Sequence, residues 1–255
     1  MYHGALTRSN EMAIQCRNKM IPTLDDVVLS STAGAYSSFK GSPLSCGQFQ
    51  FDMWEVEPSD RYDWDTLRAS IVEFGTRNSL LMAPMPTAST SQIMGFNECF
   101  EPFTSNMYSR RTLAGEFVVT NKYLMRELID LGIWSEQIKN SIIANKGSIQ
   151  HLTQIPQHVR DKYKIAWEIP MRHVIDMAAD RGAFICQSQS MNLWMEDPTY
   201  AALTSMHFHS WNKGLKTGMY YLRRKAKHQA QQFTIGPETV QKEKQEEDIC
   251  DMCSA

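Results

Sequence analysis

The sequence predicts an α/β fold with a largely parallel sheet, and three observations carry that prediction. Short apolar runs of strand length recur at 79–83, 183–187 and 217–222. Stretches with helical spacing and their own start and stop signals separate those runs. The first run, Ser79-Leu80-Leu81-Met82-Ala83, has no polar alternation, as expected of a strand covered on both faces.

Taken in order, residues 17–40 carry Ser30-Ser31-Thr32-Ala33-Gly34-Ala35 and Ser37-Ser38, a polar loop of small residues. From Phe49 onward the chain reads as globular, with aromatic anchors at Phe51, Trp54, Tyr62 and Trp64. Pro84 and Pro86 stop the first strand. Thr120 is placed to cap a helix carrying Leu124, Leu128 and Leu131 on one face. Ser135 starts another, with Ile138 and Ile142 on one face and Gly147 beyond its end. Met171 to Asp180 makes a third, stopped by Gly182. Asp197-Pro198 is a start signal for a fourth, with Asp as cap and Pro as first helical residue. That helix would place Tyr200, Leu203, His207 and Trp211 near one face, and Gly214 would close it.

Composition narrows the functional classes. A chain of 255 residues with 42% hydrophobic content can bury one large core or two modest ones. A net charge of −2 gives no electrostatic case for nucleic acid or an anionic membrane surface. No apolar run approaches the roughly 20 residues of a membrane helix, and Met1-Tyr2-His3-Gly4 does not begin a secretory signal. Cys16, Cys46, Cys99, Cys186, Cys250 and Cys253 form no regular framework, so reduced thiols in the cytoplasm are expected. No metal site is expected either. His207 and His209 are two apart and leave a helix in different directions, so His207 reads as a hydrogen-bonded core or interface residue. The sixteen methionines read as soft core filler.

Four stretches bear on chemistry. Thr87-Ala88-Ser89-Thr90-Ser91 follows the first strand with hydroxyls and a helix start. Its ordinary reading is a capping loop, but such N–H groups and hydroxyls also make an anion site without a lysine. Lys216-Thr217 is not a phosphate-binding P-loop, because the required glycines are missing. Tyr220-Tyr221 ends a strand, where paired tyrosines ordinarily pack and point to opposite faces. Cys250-Asp251-Met252-Cys253 ends a charged run from Gln241 to Asp248 that should be disordered. One such pair is at most half of a four-coordinate zinc site. Neighbouring Glu246, Glu247 and Asp248 disfavour thiolates, so the pair is not activated by charge. A mobile arm ending in a dithiol suits disulfide exchange. From Phe233 the arm reaches roughly 23 Å as a flexible coil and about 58 Å at full stretch. Cys46, between Gly41 and Gly47, reads as a buried or incidental thiol.

Leu81 to Pro102 (LMAPMPTASTSQIMGFNECFEP) closely resembles the diphosphate-binding loop of the large subunit of class I ribonucleotide reductases, eukaryotic type. The resemblance continues through Phe103–Arg111 (FTSNMYSRR), Leu113–Phe117 (LAGEF), Arg181–Ile185 (RGAFI), Gln187–Ser190 (QSQS) and Gly214–Arg223 (GLKTGMYYLR). It covers roughly 41–222. It implies the second half of the family's ten-stranded α/β barrel, with Thr87, Ala88, Ser89 and Thr90 holding a nucleoside diphosphate. Tyr220 and Tyr221 would be stacked redox residues relaying a radical, which requires the backbone to leave regular strand after Tyr220. Cys250 and Cys253 would re-reduce the active-site disulfide and be reduced in turn by thioredoxin or glutaredoxin. The implied reaction replaces the ribose 2′-hydroxyl with hydrogen, supplying deoxyribonucleotides for DNA replication.

The resemblance implies no cofactor in this chain. The radical would come from a metal-bearing small subunit, and ATP and deoxynucleotide effectors would bind N-terminal regions of a large-subunit homo-oligomer. Asn97-Glu98-Cys99-Phe100-Glu101 has the N-x-C-x-E spacing of the family's radical cysteine. In similar proteins an NECFEP string sits here, while the catalytic motif lies upstream, so Cys99 is not assigned that role. Phe96 departs from the family, where Asn usually precedes the NE pair. The expected organisation is a partial barrel segment with an inserted polar loop (1–40), the C-terminal part of the barrel (41–230) and a redox tail (231–255). Without the radical-cysteine loop, the chain alone is expected to be inactive. The competing readings are a non-catalytic remnant acting as an interaction or regulatory module, and a small dithiol exchange protein.

Overall fold

The computed structural model describes residues 1–20 and 29–224. Its elements are α1 (Tyr2–Met20), α2 (Gln50–Met53), α3 (Trp64–Phe74), α4 (Ala88–Met94), β1 (Met107–Thr112), β2 (Gly115–Thr120), α5 (Lys122–Asp130), α6 (Glu136–Ala144), α7 (Gln157–Lys162), α8 (Met171–Gly182), β3 (Leu193–Met195), α9 (Tyr200–Asn212) and β4 (Leu222–Arg224). The chain divides into two compact units. Of the described residues, the first takes in those of Met1–Phe100, Met171–Leu193 and Pro198–Leu222, the second Glu101–Pro170, Trp194–Asp197, Arg223 and Arg224.

In the first unit, α1 buries Tyr2, Leu6, Ser9, Asn10 and Ala13, the spacing of one helical face. Tyr2 and Leu6 join Phe39, Phe49, Phe51, Leu67, Ile71 and Ala183 in one apolar cluster. Polar residues on the same face pin α1 to the α3 region. Asn10 Nδ2 donates to Gly75 O at 2.8 Å and Ser70 O at 3.2 Å, and Ser70 Oγ donates back to Asn10 Oδ1 at 2.7 Å. Asp63 caps α3 by accepting from Thr66 N, and Gly75 ends it at φ 77, where a Cβ would lie 2.5 Å from Ala35 Cβ. Arg68 meets Asp52 with both terminal nitrogens, at 2.6 and 3.2 Å, while its guanidinium covers the Phe49 ring.

In the second unit, β1 and β2 form an antiparallel hairpin, pairing Met107 with Thr120 through Thr112 with Gly115. Met107, Leu124, Leu128, Ile138, Ile142, Ile149, Leu152, Ile155 and Val159 make its core. Asn106 ties the hairpin to what surrounds it. Its side chain donates to Gly147 O and Tyr163 O, and accepts from Asn121 Nδ2.

Several expectations are corrected. The runs 79–83 and 183–187 are extended or turned but form no ladder, and at 217–222 only the last residue is strand. The physical reason lies in their donors. Leu81 N and Met82 N both donate to Cys186 Sγ, at 3.0 and 3.1 Å, and Pro84 and Pro86 have no N–H to give. Two backbone bonds, Gln187 N to Met82 O and Ser190 N to Pro84 O, hold the segments side by side. Leu80 is 55% exposed, so the first run is not covered on both faces. The described strands form two two-stranded sheets, β1–β2 and β3–β4, and do not close a barrel.

Ser135 caps α6 as expected, accepting from Ile138 N. The cap of α5 is Asn121, not Thr120, because Thr120 is held in β2 while Asn121 Oδ1 accepts from Tyr123 N and Leu124 N. The cap of α9 is Thr199, not Asp197, its hydroxyl accepting from Ala202 N. The expected apolar face of α9 is turned outward. Tyr200 is 93% and Trp211 72% exposed, His207 is exposed, and Ser210 is the buried residue. No helix among the described residues is long and apolar enough to cross a membrane.

Candidate functional site

The loop before α4 is shaped by backbone geometry. Thr87 adopts φ 56, ψ 29, the left-handed region that a β-branched residue rarely enters. Its hydroxyl does not cap the helix. Thr87 Oγ1 instead accepts from Cys99 N at 3.0 Å. The N–H groups of Ala88, Ser89 and Thr90 fall in the first turn, where the helix supplies no acceptors, and all three residues are exposed. Ser91 is the buried member of the run and donates N–H to Thr87 O at 2.9 Å. The loop therefore presents three amides and two hydroxyl side chains without a lysine among them.

Cys99 stands against this loop and is half-buried. Its φ of 43 is again left-handed, and its Sγ donates to Ser190 O at 3.5 Å. Those contacts fit a turn that supports the Thr87 loop. The four described cysteines are free thiols, and Cys46, expected to be buried or incidental, is exposed and so not buried.

Tyr220 and Tyr221 lie together, with ring centroids 4.2 Å apart and planes inclined at 57°, so they are in contact but tilted where stacking was expected. Regular strand begins only at Leu222. Tyr220 N donates to Met191 O at 2.7 Å, Tyr221 N to Asn192 Oδ1 at 3.1 Å, and Tyr221 O accepts from Leu193 N at 2.9 Å. An Asn side chain standing in for a ladder carbonyl breaks the alternation that would send the rings to opposite faces. Both rings are about half exposed, at 50% and 49%. Cys250 and Cys253 lie outside the described residues.

Two residues to which the sequence reading gave no structural role organise this unit. Cys186 collects the Leu81 and Met82 amides. Lys216 donates through Nζ to Cys186 O at 2.7 Å and Ile185 O at 3.1 Å. Burial pulls its ammonium below the usual lysine range, with Cys186 opposing. Neither has a local signal, since the partners are some thirty to over a hundred residues away. On α8 and α9, Asp176 accepts from His209 Nε2 at 2.8 Å and sits 3.2 Å from Lys213 Nζ. The His209 hydrogen bond, then Lys213, hold that carboxyl below its ordinary range.

Comparisons with known proteins agree in direction. A family model described as "Ribonucleotide reductase, barrel domain" matches residues 1–221. The ribonucleoside-diphosphate reductase large subunit of Dictyostelium discoideum is 57% identical over 238 residues, 93% of this chain and 25% of that protein. Large chain 2 of the Saccharomyces cerevisiae enzyme is 57% identical over 212 residues, 83% of this chain and 24% of that protein. Among solved structures, the Actinobacillus ureae class Id ribonucleotide reductase alpha subunit superposes with TM-score 0.54 at 26% identity, covering 88% of this chain and 38% of that one. The chain thus spans about a quarter of the length of the relatives it matches. With a family model matched from its first residue to Tyr221 and relatives at this identity, the chain belongs to the ribonucleotide reductase barrel-domain family.

Proposed function

We propose that this chain is the C-terminal portion of a ribonucleoside-diphosphate reductase large subunit, and that the full polypeptide replaces the ribose 2′-hydroxyl of a nucleoside diphosphate with hydrogen. The observation that carries this reading is the contact between Tyr220 and Tyr221, at 4.2 Å across an interrupted strand. Regular strand would separate those rings, and packing alone does not require the interruption. In this reading the two phenols pass on an oxidising equivalent supplied by a small subunit. Thr87, Ala88, Ser89 and Thr90 hold the substrate diphosphate through first-turn amides and hydroxyls. Cys250 and Cys253 return electrons from thioredoxin or glutaredoxin, and the large subunit works as a homo-oligomer under nucleotide control in the cytoplasm.

The test joins this chain to the remaining N-terminal part of the Dictyostelium large subunit and supplies small subunit and reductant. Tyr220→Phe and Tyr221→Phe should each bring deoxynucleotide formation to background while substrate binding persists. Binding lost together with turnover would mean that the tyrosines only pack. Cys250→Ser should retain turnover with dithiothreitol and lose it with thioredoxin, and equal loss with both would remove the tail's shuttle role. The chain alone should form no deoxynucleotide. Activity of the pure chain that Cys99→Ser abolishes would make Asn97, Cys99 and Glu101 the active site instead.

A further inference from the structure

The loop that presents Ala88, Ser89 and Thr90 is held from behind by residues outside it. α4 is only seven residues long, and its first residue follows a left-handed threonine. Conformations of this kind persist where surrounding contacts over-determine them. Cys99 N donates to Thr87 Oγ1, Cys99 Sγ donates to Ser190 O, and Ser190 N donates to Pro84 O at 3.0 Å. Both ends of the loop, Pro84 and Thr87, are thus tied through Cys99 and Ser190.

The residue next to Cys99 is itself held. The Arg181 guanidinium carbon, from the last turn of α8, lies 4.1 Å from the centroid of the Phe100 ring. Arg181 Nε also donates to Gln189 Oε1 at 3.3 Å, and Gln189 Nε2 donates to Ala178 O at 2.7 Å. The guanidinium is therefore oriented from one side by α8 and Gln189 and covered on the other by a ring. Burial pulls Arg181 down from its ordinary range, while Cys99 and Asp180 oppose that. A desolvated cation over an aromatic face is a stronger contact than an exposed one.

We propose that Arg181 is a positioning residue for the anion loop: stacked on Phe100, it clamps the 96–100 turn so that the Cys99 amide holds the Thr87 hydroxyl and fixes the amides of 88–90 in one array. Its functional meaning rests on the diphosphate reading of that loop, whereas the clamp itself does not. Preorganised donors bind an anion without first paying to order the loop.

The experiment has two arms, both on the 255-residue chain. In the first, without ligand, amide hydrogen exchange is followed at Cys99, with Ile71 as a reference for the fold. Arg181→Met and Phe100→Leu should each speed Cys99 exchange by about tenfold, the scale of a desolvated cation–π contact, with Ile71 unchanged. Phe100→Tyr, which keeps the ring, should retain protection, and the double variant should be no worse than either single one. Unchanged Cys99 exchange in both Arg181→Met and Phe100→Leu overturns the clamp, as does equal loss in Phe100→Tyr and Phe100→Leu. If Arg181→Met also exposes Ile71, the Phe100 pair decides alone. In the second arm, inorganic pyrophosphate is titrated while the amides of 88–90 are observed. Wild-type chain should bind, and Arg181→Met should bind severalfold more weakly. No binding by wild type counts against the diphosphate reading and leaves the first arm standing. Equal binding by both proteins overturns the positioning role.

Discussion

The two units hold their backbones in different ways. In the second unit, the residues that make the core sit close in sequence, on capped helices with helical spacing and in loops between them. Leu124 and Leu128 share a turn of α5, Ile138 and Ile142 share a turn of α6, and both helices start on a side-chain cap. In the first unit, the segments that carry the candidate site are extended but unlaced. Their amides go to a thiol sulfur, a threonine hydroxyl and an asparagine side chain in place of a neighbouring strand. A ladder fixes many residues at once, whereas single bonds of this kind fix one residue each and leave the next amides free to face a ligand. Regularity marks the part that supports, and its loss marks the part that carries the candidate site.

The largest test of that contrast is in the cores. Leu128 is fully buried in the second unit, so Leu128→Ala should cost about 2–5 kcal/mol by lost transfer energy and cavity formation. Leu80, 55% exposed on the unlaced segment of the first unit, should cost less than about 0.5 kcal/mol when changed to Ala. Denaturant unfolding reads both, and comparable losses would show the 79–87 segment to be core after all.

A second pair holds backbone strain constant. Gly41 and Gly147 share φ +86, but a Cβ on Gly41 meets nothing within 4 Å, while one on Gly147 would sit 2.7 Å from Asn106 N and closer still to Ser105 Oγ. Gly41→Ala should therefore cost only the left-handed penalty, about 1 kcal/mol. Gly147→Ala should add overpacking and reach about 3 kcal/mol. Equal losses would mean that the Asn106 network yields easily, and the second unit would be softer than its hydrogen bonds imply.

These pairs also show what the sequence could disclose. The core of the second unit was legible where it repeats every four residues, so Leu124, Leu128, Ile138 and Ile142 were placed on their buried faces, whereas Leu131, expected on the face of Leu124 and Leu128, lies past the end of α5 and is 44% exposed. The error there was local: Thr120 and Asn121 are both good caps, and only the hairpin register decides between them. That hairpin was not anticipated, although Gly115 follows a two-residue turn. The strands at 79–83 and 183–187 were misread for a different reason. An apolar run by itself reports neither pairing nor burial: Leu80 is 55% exposed, and the acceptor of the Leu81 and Met82 amides is a sulfur more than a hundred residues away. On α9, the aromatic stripe Tyr200, His207 and Trp211 has the spacing of a buried face yet points outward, because periodicity cannot say which surface meets it. Candidate site residues were named by resemblance of whole strings. The contacts that support them, Cys186, Lys216 and Arg181, lie at long range and leave no local pattern.

Alkaline pH probes the first unit through Tyr2. Burial pushes the Tyr2 hydroxyl up to about 12, against the usual value of 10.0, and the Gln50 amide donating to it opposes the shift. Because the folded pKa is raised, the folded chain keeps a proton that the unfolded chain loses. That contribution is complete below pH 10 and is lost as pH rises toward 12, at up to about 1.4 kcal/mol per pH unit. Tyr2→Phe should flatten this fall while costing about 1–2 kcal/mol at neutral pH, since Gln50 N–H loses its acceptor. An equally steep alkaline decline in the variant would assign the transition to another group.

The smallest expected effect separates the units most sharply. Lys146 and Thr87 are non-glycine residues at the same φ of 56. Lys146 is exposed, so Lys146→Gly should relieve the left-handed penalty and stabilise by about 0.5–1 kcal/mol after the added freedom of the unfolded chain is counted. Thr87→Gly relieves a similar penalty but leaves Cys99 N–H without the hydroxyl it donates to, a loss of about 1 kcal/mol. The two changes should nearly cancel, giving a stability within about 0.5 kcal/mol of wild type. Thr87→Ser separates them, because it keeps the acceptor and the left-handed backbone together. Matching stabilisation by Thr87→Gly and Lys146→Gly in thermal unfolding would show that the Thr87 hydroxyl holds nothing, and the loop would then owe its shape to α4 alone.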